Sequence, residues 1–228
     1  MSFIVIEGLD GSGKSTQLKK LKAHLSDKSI NYQYLHFPKV EDGIFGDLVA
    51  RFLRGDLGNI NEVDPYLVGL IYAGDRDHSK NQINEWINNN DLVIIDRYIY
   101  SNMAFQGAKL SAEKDKQELR DWLRNLEFNH YKIPQPDLSL FLDVPFTFTT
   151  QSLTNQREGE DRDYLKGKQD IHEADLNFQE TVRQEYLDLV KQDENFHVIK
   201  CYNEAMEMLP PNEIFEKIIN TLTQHNIL

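Results

Sequence analysis

A glycine-rich segment near the start of the chain limits the possible folds more than any other feature. Residues Gly8–Ser15 read GLDGSGKS and match the pattern G-x-x-x-x-G-K-[ST]. The apolar run Phe3–Ile6 precedes the segment, and Leu18, Leu21 and Leu25 follow it at helical spacing. A strand, a glycine-rich turn and a helix in this order predict an α/β fold with a phosphate-binding loop, here called the phosphate loop.

The phosphate loop predicts where a nucleoside triphosphate binds. Glycines let the backbone turn its N–H groups toward phosphate oxygens, and the helix that begins at Lys14 adds its positive N-terminal end. We expect Lys14 to reach the β- and γ-phosphates and the Ser15 hydroxyl to hold Mg²⁺. The expected ATP-binding residues are Gly8, Gly11, Ser12, Gly13, Lys14, Ser15 and Thr16.

A second motif follows an apolar run in the middle of the chain. Asp96 and Arg97 come directly after Leu92–Ile95. Ligands of open α/β sheets lie at the carboxyl ends of the strands, so Asp96 is expected to hold Mg²⁺ or its waters. The guanidinium fork of Arg97 suits a phosphate. A strand-end surface pair between Asp96 and Arg97 is the plain structural alternative.

The apolar runs of the sequence, which are separated by segments with helical spacing, are expected to form the strands of one sheet. Three of the runs are near-continuous, as in strands that are covered on both faces. The alternation predicts a three-layer α/β fold with a central, mainly parallel five-stranded sheet, in a single domain over residues 1–228. The runs are Phe3–Ile6, Tyr34–Phe37, Leu92–Ile95, Leu138–Leu142 and Phe196–Ile199.

The net charge and the cysteine content limit the kinds of partner that we expect this chain to bind. The net charge of −12 argues against nucleic acid, which usually binds a basic surface. No segment approaches the roughly eighteen uninterrupted apolar residues of a membrane span, so we expect no membrane partner. The single cysteine, Cys201, provides no disulfide framework and no thiolate metal cluster. Because the N-terminal residues also lack the pattern of a signal peptide, we expect a cytoplasmic location.

One stretch departs from the strand and helix pattern. Residues Thr154 to Gln169 carry many charges of both signs and few apolar side chains. Such a composition is typical of a solvated surface loop. It is equally typical of a mobile lid, here roughly residues 154–170, that closes over bound phosphates. Both interpretations stay open on composition alone.

Two signatures together resemble those of the thymidylate kinase family, which phosphorylates dTMP to dTDP with ATP. Residues Glu7–Thr16 are similar to that family's phosphate loop, and Asp96–Tyr98 followed by Ala104–Gly107 is similar to its second signature. The similarity extends over nearly the whole chain. Further matching segments are Phe37–Pro38, Asp64–Tyr66, Tyr72–Arg76, Pro136–Asp137 and Asp170–Glu173.

The resemblance implies a role for each residue of a dTMP site. Arg76 would donate to a pyrimidine carbonyl, and Gln106 with Ser101 or Asn102 would contact the remaining base edge. Arg97 would hold the 5′-phosphate, and Asp10 the 3′-hydroxyl. The other expected substrate-binding residues, which would line the base and sugar pocket, are Phe37, Pro38, Tyr72 and Phe105. Core packing is the alternative for Tyr72 and Phe105, and a surface ion pair with Asp75 or Asp77 is the alternative for Arg76.

The expected catalytic set includes two arginines of the charged stretch. Gly11 stands where one branch of the family carries an arginine, so the phosphate loop lacks a catalytic cation of its own apart from Lys14. The resemblance then implies Arg157 first and Arg162 second as cations that stabilise the transferred phosphoryl group. The expected catalytic residues are Lys14, Asp10, Arg97, Arg157 and Arg162.

The expected function is the ATP- and Mg²⁺-dependent phosphorylation of dTMP, a step toward dTTP, and the resemblance implies a homodimer. A deoxynucleoside kinase is one alternative, but its acceptor hydroxyl needs a carboxylate base rather than an arginine-bound phosphate. A nucleotide-operated switch protein is another, although it gives the pyrimidine-pocket residues no purpose.

Overall fold

The computed structural model describes residues 2–40, 42–89, 91–154, 164–168 and 170–228. Strands and helices alternate along most of this length. The strands are β1 (Phe3–Gly8), β2 (Tyr32–His36), β3 (Leu92–Asp96), β4 (Leu138–Asp143) and β5 (Phe196–Lys200). The helices are α1 (Lys14–Asp27), α2 (Gly43–Leu53), α3 (Pro65–Asn88), α4 (Ile99–Gly107), α5 (Glu113–Arg124), a π-helical turn (Asn125–His130), α6 (Phe146–Thr154), α7 (Ile171–Ala174), α8 (Leu176–Val190) and α9 (Pro211–Gln224).

The five strands form one sheet in the order β2-β3-β1-β4-β5, and every strand pair is parallel. The expected α/β fold with a mainly parallel sheet is thus confirmed, and each expected strand is present within one to two residues of its predicted bounds. The central strands β1, β3 and β4 are buried along their whole length, whereas the edge strands β2 and β5 are partly exposed. This difference explains why the central runs are near-continuous in the sequence.

Two hydrophobic clusters lie on opposite faces of the sheet, which gives the three layers. Phe3 and Val5 of β1 point into one cluster with residues of α4, α5 and α8. Ile4 and Ile6 point into the other, with residues of α1 and α9. Successive side chains of a strand point to opposite faces, so the unbroken run in β1 supplies both cores.

Parallel pairing brings the carboxyl ends of β1, β2 and β3 to the same edge of the sheet. Ile6 pairs with Asp96, and His36 pairs with Asp96 from the other side. The phosphate loop follows β1, and α4 follows β3 after Arg97 and Tyr98. The two motifs found in the sequence therefore meet at this edge.

None of the helices within the described residues combines the length and apolar character that crossing a membrane requires.

Candidate active site

A cleft of about 1040 Å³ lies above the carboxyl ends of the central strands. It brings together predicted residues from four parts of the chain. Those that line it are Asp10, Gly11, Ser12, Gly13, Lys14, Ser15, Thr16, Phe37, Pro38, Tyr72, Arg76, Asp96, Arg97, Ser101, Asn102, Phe105 and Gln106. Gly8, the first residue of the loop and the last of β1, does not line the cleft. A Cβ atom there would come within 2.7 Å of Ser12 Oγ, so this position has no room for a side chain unless Ser12 moves.

The phosphate loop has the backbone geometry of an anion site. Gly11 and Gly13 have φ angles of 75° and 84°, in the left-handed region that favours glycine. Lys14 is buried at the start of α1, and its Nζ donates to the carbonyls of Gly8 at 3.2 Å and Leu9 at 3.0 Å. Burial and the nearby Arg97 lower the pKa of Lys14 to about 8. An anion in the loop would stabilise the charged form of this lysine.

Asp96 is suited to a metal ion that is shared with phosphate oxygens. Its Oδ2 lies 3.1 Å from Nδ1 of His36, whereas its buried Oδ1 has no hydrogen-bond partner among the described residues. Burial disfavours the ionised form, but the hydrogen bond from His36 and the charge of Lys14 outweigh it and lower the pKa of Asp96. Ser15 lies on the same wall of the cleft. Mg²⁺ usually takes only one or two protein oxygens plus phosphates and waters, so this donor set fits it.

Arg97, which is buried, forms an ion pair with the partly buried Asp10 of the phosphate loop. Its Nη2 lies 2.6 Å from Oδ1 of Asp10, and Nη1 donates to Ser101 Oγ at 3.3 Å. Arg97 has a φ of 66°, a costly conformation for a residue with a side chain, which marks a constrained position. Burial opposes the ionisation of Asp10, but the charges of Arg97 and Lys14 prevail and lower its pKa to about 2. Arg97 is therefore held beside the loop as a cation.

The guanidinium of Arg76 forms an ion pair with a buried carboxylate. Nε and Nη2 donate to the two oxygens of Glu127 at 2.5 and 2.6 Å, and both side chains are almost fully buried. The suggested surface pair with Asp75 or Asp77 is wrong, because Asp75 accepts from the Lys39 N–H instead, and Asp77 from Lys80. Glu127 lies in the π-helical turn, 51 residues away, so nothing near Arg76 in the sequence indicated it.

Amide groups on α4 form the adjoining wall. Gln106 is fully buried, and neither its Oε1 nor its Nε2 has a partner among the described residues. Asn102 Nδ2 donates to the Gly69 carbonyl at 2.9 Å and to Glu127 at 3.3 Å, and Oδ1 has no such partner. Ser101 Oγ instead contacts Glu7 and Tyr186. Asn102 and Gln106, rather than Ser101, are thus available to a ligand.

The aromatic residues of the cleft both line the cleft and pack against the hydrophobic core. Phe37 and Phe105 are 1% and 5% exposed and belong to the core on that face of the sheet. Tyr72 is partly buried and packs against a small cluster that contains Val49 and Phe52. The two interpretations of these residues, pocket wall and core, are therefore compatible.

Two residues that contact the site, Glu7 and Gln179, have no role predicted from the sequence. Glu7 is fully buried and accepts from the Tyr98 N–H at 2.8 Å, directly after the constrained Arg97. Gln179 of α8 donates to Asp10 at 3.1 Å. Glu7 is the acid within an apolar strand, a pattern that could have indicated a buried role, whereas Gln179 has no distinguishing pattern.

The residues that follow the charged stretch close one side of the cleft. Asp170 accepts from the His172 N–H and from the Tyr164 hydroxyl, at 2.8 and 3.0 Å. Burial and the Asp10 carboxylate raise the pKa of Asp170 to about 7. Residues 155–163 and Gln169 lie outside the described residues, and with them the expected catalytic Arg157 and Arg162 and most of the expected lid.

The chain is similar in sequence to known thymidylate kinases. The family model described as thymidylate kinase matches residues 6–209. A probable thymidylate kinase 1 of Saccharolobus solfataricus is 32% identical over 213 residues, which is 90% of this chain and 92% of that protein. A thymidylate kinase of Mycoplasma genitalium is 31% identical, with 97% and 94% covered.

A solved structure also matches the fold. The thymidylate kinase of Candida albicans superposes with a TM-score of 0.71 at 24% identity, over 99% of this chain and 92% of that one. At this identity the likeness concerns the fold alone. The family model spans most of the chain, and both motifs lie within its bounds. The chain belongs to the thymidylate kinase family.

Proposed function

We propose that the cleft catalyses the ATP-dependent phosphorylation of dTMP to dTDP, the reaction of the thymidylate kinase family to which the chain belongs. A 5′-phosphate oxygen of dTMP attacks the γ-phosphorus of ATP, and the bond from that phosphorus to the β,γ-bridging oxygen breaks, which leaves ADP. The observation that carries the proposal is the buried cationic pair of Lys14 and Arg97 at one edge of the sheet, one in the phosphate loop and one beside it.

Positioning and charge neutralisation provide the catalysis. The loop N–H groups and Lys14 would hold the donor phosphates, and Lys14 would neutralise charge that develops on the transferred group. Arg97 would hold the acceptor 5′-phosphate within reach of the same group. Mg²⁺, held by Ser15 and Asp96, would neutralise further charge on the donor phosphates. Arg157 and Arg162 remain proposals for an additional cation that closes over the site.

The acceptor base would lie against what we call the acceptor wall, which consists of Arg76, Asn102 and Gln106. All three line the cleft and have polar atoms without a partner among the described residues. The adjacent Phe37, Pro38, Tyr72 and Phe105 supply apolar surface for the base and sugar. This combination of flat apolar contact and a few fixed polar groups is typical of a small-molecule site.

Asp10, the acid within the phosphate loop, is not suited to be the general base that a deoxynucleoside kinase needs. A hydroxyl acceptor needs a general base, and an effective base has a pKa near the working pH. The pKa of Asp10 is instead about 2, and its carboxylate is occupied by Arg97 and Gln179. A phosphate acceptor is already anionic and needs no such base.

A substrate panel tests the proposal. The protein is incubated with ATP, Mg²⁺ and either thymidine, dTMP, dUMP, dCMP or dGMP, and nucleoside diphosphate formation is measured. We expect dTMP to give the highest kcat/KM, dUMP a value lower by roughly tenfold, since one methyl contact is worth about 1–3 kcal/mol, and dCMP a still lower value. Turnover of thymidine but not of dTMP would contradict the proposal.

We also propose a homodimer. Three large apolar side chains are exposed on the neighbouring helices α2 and α3: Ile44 at 80%, Leu67 at 59% and Leu70 at 36%. Such exposure favours an interface, here with a second copy of the chain. Light scattering after size exclusion should give twice the mass of one chain, and a mass of 26.6 kDa would contradict the proposal.

A cytoplasmic location is likewise proposed, and the single cysteine, which is free and buried, supports it.

A further inference from the structure

Glu127 holds two residues of the acceptor wall at once. Its side chain is completely buried, and its carboxylate accepts from Nε and Nη2 of Arg76 at 2.5 and 2.6 Å. The oxygen that accepts from Nη2, Oε1, also accepts from Nδ2 of Asn102 at 3.3 Å. Glu127 is the acid of the π-helical turn Asn125–His130, an irregularity that often occurs at functional sites.

The contacts of Asn102 fix which way its amide points. The Glu127 carboxylate and the Gly69 carbonyl oxygen can only accept hydrogen bonds, so the amino group of Asn102 must face both of them. The carbonyl oxygen Oδ1 is then the free polar atom of a residue that lines the cleft. Asn102 therefore offers an acceptor to a bound base.

The contacts of Arg76 leave a hydrogen-bond donor free, whereas those of Asn102 leave an acceptor free. Two of its three nitrogens are bound to Glu127, and Nη1 makes no hydrogen bond within the part of the chain that is described. A guanidinium has donors only. Arg76 therefore offers a donor beside the acceptor of Asn102.

We propose that Glu127 is the positioning residue that sets base specificity, an inference that rests on the proposed function. A pyrimidine with a 4-carbonyl and a protonated N3, as in thymine and uracil, matches a donor beside an acceptor. Cytosine presents the reverse, an amino group and an unprotonated N3, and would leave two buried polar pairs mismatched. Without the Glu127 carboxylate, Arg76 loses the fork that orients it, and Asn102 keeps only the hydrogen bond to the Gly69 carbonyl.

The proposal predicts a selective change in specificity. In Glu127→Gln, the new amino group faces donors, so at least one of the Arg76 and Asn102 contacts is lost. The ratio of kcat/KM for dTMP to that for dCMP should fall by roughly tenfold or more, because mispaired buried polar groups are what exclude the wrong base. The ratio for dTMP to dUMP should stay unchanged, since both bases present the same polar edge.

Glu185→Gln is the matched control. Glu185 is also a buried carboxylate that binds two cationic side chains, with Arg120 and Lys116 each at 2.6 Å, but it does not line the cleft. This variant should lose stability and keep both ratios. If Glu127→Gln folds and both kcat/KM ratios are unchanged, Glu127 has only a structural role and the proposal is overturned. An equal fall of the dTMP to dCMP ratio and the dTMP to dUMP ratio would also overturn it.

A second variant decides the case if Glu127→Gln does not fold. Asn102→Ala removes the acceptor and leaves the Arg76 pair intact, so the dTMP to dCMP ratio should again fall while the dTMP to dUMP ratio holds. An unchanged dTMP to dCMP ratio in this variant would overturn the proposal. Failure of the wild-type protein to phosphorylate dTMP would instead refute the proposed function, and this result is obtained before any variant is made.

Discussion

The phosphate loop and the acceptor wall are built in different ways, although they face the same cleft. The loop is one contiguous segment whose function depends on backbone conformation, with Gly11 and Gly13 in the left-handed region. In the wall, the buried Glu127 orients Arg76 and Asn102 across 51 and 25 residues. The neighbouring Arg97, outside the wall, is oriented in a similar way by the partly buried Asp10 across 87 residues. Local sequence thus determines the first region, and tertiary pairing determines the second.

The largest expected effect concerns the loop. Lys14→Ala should lower kcat by at least about 10²–10³-fold, because the cation that stabilises developing charge is lost. Binding of dTMP, measured by calorimetry without ATP, should change little, since the acceptor wall is untouched. Lys19→Ala, an exposed position on the same helix, is the control and should keep full activity. If Lys14→Ala weakened dTMP binding as much as turnover, the two regions would not be separable.

A smaller effect is expected where the two regions meet. Asp10→Asn removes the charge that holds Arg97 and should lower kcat/KM for dTMP by roughly 10–100-fold, because a hydrogen bond between charged groups is worth about 1.5–3 kcal/mol. The KM for ATP should change less than twofold or so, because the loop backbone is retained. The comparison is Asp47→Asn, which breaks an exposed aspartate–arginine pair at 2.9 Å and should have no kinetic effect. A change confined to the KM for ATP would show that Asp10 serves the loop and not the acceptor.

The smallest effect is one of stability and appears only as a function of pH. Since the pKa of Asp170 is raised from 3.8 to about 7, the folded chain keeps a proton that the unfolded chain releases above about pH 4. This group therefore favours folding below about pH 4 and loses that contribution as the pH rises to about 7, by at most about 1.4 kcal/mol per pH unit.

Replacement of Asp170 isolates this contribution. In Asp170→Asn the side-chain oxygen can still accept from the His172 N–H, so the start of α7 is preserved. The Tm of the wild type minus that of the variant should fall as the pH rises from 4 to 7. His172 titrates in the opposite sense, since burial lowers its pKa to about 3, but it is present in both proteins and cancels. A difference that does not vary with pH would show that Asp170 is ionised in the folded state.

The sequence predicts the two regions to different extents for a physical reason. The phosphate loop, Asp96 and the five strands could be identified because each is encoded by adjacent residues or by a short period. Arg97 is indicated by its place after an apolar strand, whereas Arg76 could be named only through a family resemblance, and the partners of both required the fold. Glu127 lies in a π-helical turn after a surface helix, where the sequence gives no periodic signal for a buried acid. The pairing of such charges depends on which helices pack together, and local patterns do not contain that information.

A crystal structure with bound dTMP tests the central claim most directly, because it shows which atoms the base and the phosphate contact. The account predicts the 5′-phosphate within hydrogen-bond distance of Arg97, the base 4-carbonyl at Nη1 of Arg76 and N3 at Oδ1 of Asn102. The pair between Arg76 and Glu127 should stay intact. A 5′-phosphate bound at Arg76, or a base that contacts neither Arg76 nor Asn102, would contradict the account.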